Sequence, residues 1–126
     1  MGVSNTATQL LAWLCIVAVA VLSLTPAEQM TRTGWSGHIE HVVAYAGTAF
    51  VTAMAFPKRG VFQTTLALVI YAGSLEFLQR FSPGRTSSIC DFVFSGVGVV
   101  VGACAFALLQ ASRTKLQRHK PSVPDL

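Results

Sequence analysis

Hydrophobic positions along the chain fall into four runs separated by short polar breaks. The first, Leu10 to Leu24, is lengthened by the weakly polar Thr6 to Gln9 to about the 20 residues that a bilayer core of roughly 30 Å requires. Thr25-Pro26 closes it, because proline halts or turns a helix at its own position. A cleaved signal peptide is the competing reading of this run. No Lys or Arg precedes the run and no small-x-small site follows it at the expected place, so the pattern predicts a first transmembrane helix. Further runs extend from Gly37 to Phe56, from Val61 to about Phe81 and from Ile89 to about Gln110. Pro57-Lys58-Arg59-Gly60 has the length of a turn in an antiparallel helical hairpin. Ser82-Pro83-Gly84 breaks the third run from the fourth. The prediction is an all-α membrane protein, a bundle of four transmembrane helices spanning about residues 7–24, 37–56, 61–81 and 89–110. These form one domain, residues 1–111, followed by a basic, disordered cytoplasmic tail, residues 112–126, with no internal repeat.

Polar residues interrupt these runs in an ordered way. His38, His41, Tyr45, Thr48 and Thr52 recur at spacings of three and four and share one helical face. Asp91, Ser95, Gly98, Gly102 and Ala105 form a similar stripe in the fourth run, and Gly98-x-x-x-Gly102 permits close approach of another helix. Glu76, Gln79 and Arg80 occupy the last turns of the third run, and Arg85 follows in the loop. An ionisable side chain at the centre of a membrane helix costs roughly 2.5 to 3.5 kcal/mol, less near its ends, unless it finds partners or water. These faces are therefore expected to look inward, toward other helices.

Composition supports a membrane protein: 52% of the residues are hydrophobic and 11% charged, with mean hydropathy +0.57, whereas soluble domains carry about a quarter charged residues. The net charge of +4 does not indicate nucleic-acid binding, because the basic residues sit in short loops and in the tail without groove-reading or stacking neighbours. Cys15, Cys90 and Cys104 lie in or beside apolar runs without metal-ligand spacing, which points to neither a disulfide framework nor a structural zinc site. Four spans place Lys58, Arg59, Arg113, Lys115, Arg118 and Lys120 on one side and Arg32, Arg80 and Arg85 on the other. By the positive-inside rule, both termini are cytoplasmic, and Trp35 is expected as an anchor at the opposite interface. His38, Glu40, His41, Glu76, Gln79, Arg80, Arg85 and Asp91 then gather near the outer face.

His41-x-x-x-Tyr45, Glu76-x-x-Gln79, Arg85, and Asp91 followed by Gly98 and Gly102 occur in one order and spacing over Gly37 to Gly102. In these the sequence resembles the VanZ-like family of small bacterial membrane proteins, named for a member of a glycopeptide-antibiotic resistance cluster. It departs from the family pattern at Gly37 and His38, where Asp-Lys is frequent, and at Ser95, where asparagine is frequent. The resemblance implies a helical protein of the cell envelope in the bacterial cytoplasmic membrane. It implies no particular reaction.

Several readings of the outer residues stay open. His41, Tyr45, Glu76, Gln79, Arg85 and Asp91 are candidates for binding an anionic lipid or lipid-linked envelope precursor, with the Arg85 fork suited to phosphate. His41, Glu76 and Asp91 are candidates for acid–base or metal-assisted hydrolysis or transfer on a lipid-linked head group, although no nucleophile motif accompanies them. The plain alternative has His41 bonding Glu76 or Asp91, and Arg85 paired with one of those carboxylates, to hold helices together. Gly98 and Gly102 are packing positions, and the polar stripes could also receive another membrane protein or a second copy. Beyond the bilayer, no particular cofactor or metal is indicated.

Overall fold

The computed structural model describes residues 5–29 and 34–118. Expectations that fall on Arg32 and on His119, Lys120, Pro121 and Pro124 lie outside these residues. The described residues hold four α-helices: α1 (Thr6–Leu24), α2 (Gly37–Ala55), α3 (Val61–Leu78) and α4 (Ile89–Arg118). The molecule is a membrane helical bundle in which α1, α4 and α3 with the turn that continues it to Phe81 are long and apolar enough to cross a bilayer.

Local chemistry sets each boundary. Asn5 caps α1 by accepting the Ala7 amide, 3.2 Å away. At the other end Thr25 leaves the helical conformation ahead of Pro26, and its hydroxyl donates to Val21 O at 2.6 Å. Gly60, at φ +74°, makes the reversal into α3, a conformation unfavourable for a residue with a Cβ. A 3-10 turn, Gln79–Phe81, extends α3 to the expected Phe81. Ser88 caps α4, its hydroxyl accepting the Cys90 amide at 3.2 Å. The fourth helix runs past the expected end near Gln110 to Arg118, so the first part of the expected irregular tail is helical. No proline falls between positions 84 and 120 and residues 110–118 include good helix formers, so the helix continues through these turns.

The helices alternate in direction. Trp13 of α1 meets Phe56 beyond the end of α2, with ring centroids 6.5 Å apart, and Gly73 of α3 lies against Phe92 of α4. The closest pair, α2 and α4, runs parallel: Val42 lies against Gly98, Ala46 against Gly102, and Phe50 against Phe106, whose rings are 6.0 Å apart. A Cβ at Gly98 would stand 2.5 Å from Val42 O, and one at Gly102 would overlap the Ala46 carbonyl. Both glycines are therefore spent on the seam inside the bundle. Val19, Tyr45, Ala49, Leu68, Ala72, Leu75 and Val99 make the core, drawn from all four helices.

In α2 the expected inward face is buried at Tyr45, Thr48 and Thr52, half-buried at His41 and exposed at His38. Thr48 and Thr52 donate to the carbonyls of Ala44 and Thr48, four residues back, at 2.8 and 2.6 Å. Their hydroxyls are thereby satisfied within the helix, as a low-dielectric setting requires.

Candidate functional site

Every outer candidate sits at one end of the bundle, here called the Pro83 end, where α1 and α3 finish and α2 and α4 begin. The two connections at this end touch, with the Ala27 amide donating to Pro83 O at 3.4 Å and Gly84 turning at φ +73° against Ala27. Although sequence places the candidates at one level, the tertiary structure divides them among several local tasks.

Arg85 reaches neither carboxylate. Its Nη1 donates to Leu22 O at 2.9 Å and Ser23 O at 2.7 Å, with a longer contact to Thr25 O at 3.5 Å. No ion pair among the described residues joins it to Glu76 or Asp91. The last carbonyls of a helix lack intrahelical donors and carry the negative end of its dipole. Because α1 has no basic residue in its own last turn, a guanidinium from the following hairpin supplies what it lacks. Ser82 Oγ adds a bond to Leu24 O at 2.8 Å.

Glu76 is buried at the end of α3, and its Oε1 accepts the Ser88 amide at 2.6 Å. A carboxylate therefore stands at the start of α4, where the helix dipole favours negative charge. Asp91, in the first turn of α4, accepts from His38 Nδ1 at 3.1 Å, and the His38 ring stacks on Phe94 with centroids 4.5 Å apart. His41 Nδ1 and Ser95 Oγ share a hydrogen bond of 3.0 Å. The Tyr45 hydroxyl is placed between Ser23 of α1 and Ser95 of α4. Gln79 is buried in the turn that ends α3. His41, Ser95, Tyr45 and Ser23 thus form a chain of polar contacts through α2, α4 and α1, while Glu76 and Asp91 work separately at the start of α4.

Among the described residues no three His, Cys, Asp or Glu side chains converge as metal ligands. What does open outward is a cleft of about 220 Å³ between α3 and α4, walled by Gly73, Phe77, Ile89 and Phe92 and edged by Glu76, Arg80 and Ser87. Arg80 is exposed and lies over the Phe77 ring, 5.7 Å from its centroid. Its closeness to Ser87 follows from the Ser82–Gly84 reversal, which no spacing rule reveals. Ser23 and Ser88 were also missed: each is an ordinary small polar residue whose meaning depends on a partner far along the chain.

A family model described as VanZ/LLP1 matches residues 4–110. No curated protein and no solved structure matches the chain.

Proposed function

The chain belongs to the VanZ/LLP1 family, and from that premise we propose that it is a cell-envelope membrane protein that holds the anionic head group of an amphiphile at the Pro83 end of its bundle. The observation that carries this reading is the cleft between α3 and α4, with aromatic and aliphatic walls and Arg80 at its edge. Among the described residues no carboxylate lies within ion-pair distance of Arg80. A guanidinium offers five N–H donors in a plane, suited to phosphate. Phe77, Ile89 and Phe92 suit the apolar stem of the same molecule, and Ser87 adds a hydroxyl beside its head. In this reading His41, Tyr45, Gln79, Arg85 and Asp91 hold the four helix ends at fixed spacing around the cleft.

The orientation that fits has this end facing outward in the bacterial cytoplasmic membrane, both termini in the cytoplasm and α2 crossing beside α4. Lipids and lipid-linked precursors of the outer leaflet would then reach the cleft sideways, from the bilayer. Farnesyl phosphate and farnesol form a matched pair of probes for the purified protein, differing in the charged group. Charged hydrogen bonds contribute about 1.5–3 kcal/mol, so Arg80→Gln is expected to weaken farnesyl phosphate roughly tenfold or more and to leave farnesol unchanged. Equal binding of farnesyl phosphate by the parent protein and Arg80→Gln would overturn the reading.

Glu76 at the cleft edge keeps acid–base chemistry on the bound head group as a second reading. It predicts phosphate release from farnesyl phosphate that Glu76→Gln abolishes while binding persists.

A further inference from the structure

A second cleft, of about 340 Å³, lies at the opposite end of the bundle among α1, α2 and α3. Its walls are Trp13, Ile16, Phe56, Ala67, Leu68 and Tyr71. The hydroxyls around it are already engaged with backbone: Thr52 with Thr48 O, Thr64 with Gly60 O and Tyr71 with Ile16 O. Apart from the Gln63 amide in the first turn of α3, the lining therefore presents rings and methyl groups. Its mouth is different. Arg59 stands there over the Phe56 ring, 5.7 Å from the centroid, and Lys58 is its neighbour in the same turn. Among the described residues neither cation has a carboxylate within ion-pair distance.

We infer that this cleft seats an acyl chain of an anionic phospholipid from the surrounding leaflet, with the lipid phosphate on Arg59 and Lys58. Three observations converge on that occupant. Two of the three flanking helices, α1 and α3, are long and apolar enough to cross a bilayer, so acyl chains are the medium at the cleft's open side. The volume falls near the low end of small-molecule sites, about 300–1,000 Å³, and suits part of one chain rather than a protein helix. The positive mouth over an apolar interior complements a phosphate joined to a hydrocarbon tail, and Arg113, Lys115 and Arg118 add positive charge at the same end of α4. The mouths of the two clefts, at Arg59 and Arg80, lie at opposite ends of α3, whose 18 residues extend roughly 25 Å; the walls approach each other at Tyr71 and Gly73, but one cleft opens among α1, α2 and α3 and the other between α3 and α4.

Trp13 gives a direct readout. The full chain carrying Trp35→Phe is placed in phosphatidylcholine nanodiscs doped with chain-brominated phosphatidylglycerol or, at the same mole fraction, chain-brominated phosphatidylcholine. Bromine quenches indole fluorescence on contact, so the phosphatidylglycerol is expected to quench Trp13 more strongly. Arg59→Gln should abolish that excess. Ala67→Phe, which fills the cleft from an exposed position of α3, should abolish it too, whereas Arg80→Gln should preserve it. Equal quenching by the two lipids in the parent chain would overturn the proposal, as would an excess that survives both Arg59→Gln and Ala67→Phe. Loss of the excess in Arg80→Gln would also overturn it by locating the contact at the other end. Reversal by inorganic phosphate would do the same by indicating a site for a free anion.

Discussion

Arg85 shows how one side chain can serve a helix to which it does not belong. Its bonds to Leu22 O and Ser23 O satisfy carbonyls that α1 cannot satisfy itself, at a position where unpaired polar groups are costly. Arg85→Ala is expected to destabilise the protein by about 1–3 kcal/mol, because those acceptors lose charged donors. Hydrogen exchange should locate the effect at the end of α1 and in the Ser82–Arg85 turn, and unchanged protection there would refute the capping role. Glu76 poses a question of charge against acceptor. Glu76→Gln keeps an oxygen for the Ser88 amide and should cost less than Glu76→Leu, which removes the acceptor altogether; thermal melts in detergent give the order.

The α2–α4 pair is the element on which the bundle depends most. Small residues bring its backbones so close that Gly98 and Gly102 leave no space for a Cβ against Val42 and Ala46. Overpacking costs typically about 1–3 kcal/mol, and a clash with backbone has no side-chain rotation to relieve it. Gly98→Ala should therefore lower the unfolding midpoint, and Gly102→Leu should lower it further. Gly96→Ala is the control, since nothing lies within 4 Å of a Cβ there and alanine favours the helix. Equal midpoints for Gly96→Ala and Gly98→Ala would refute the seam. The same geometry means that an oligomer would have to use a surface other than these two glycines.

For the molecule as a whole, charge and length act together. At about 1.5 Å per residue the 30 residues of α4 extend roughly 45 Å, well beyond a bilayer core of about 30 Å, so one end overhangs. The overhang carries Arg113, Lys115 and Arg118, on the same side as Lys58 and Arg59. In cells, Ser82→Cys in a cysteine-free chain is expected to react with a membrane-impermeant thiol reagent applied from outside, whereas Lys58→Cys is expected to be protected. The reverse pattern would invert the topology and move the Arg80 cleft to the cytoplasmic face.

The helical character of the chain and nearly all of its helix boundaries were legible in the sequence, because hydrophobic run length, Thr25-Pro26, Gly60 and Ser82-Pro83-Gly84 act locally. The gathering of His41, Glu76, Arg85 and Asp91 at one end was legible too, since alternating helix directions bring the relevant ends to one level. Which side chain meets which was not. Arg85 could in principle pair with a carboxylate or with helix carbonyls, and the choice depends on where the end of α1 lies relative to a turn about 60 residues later. The clefts likewise exist where three helices fail to fill the space between them, a property of packing distances that no one-dimensional pattern contains. Sequence alone determined that this chain would be a helical bundle in lipid with polar groups at its ends. Tertiary structure alone decided that most of those groups bind one another or the backbone, leaving Arg80 and Arg59 at the open mouths, because hydrogen-bond partners are selected by three-dimensional proximity.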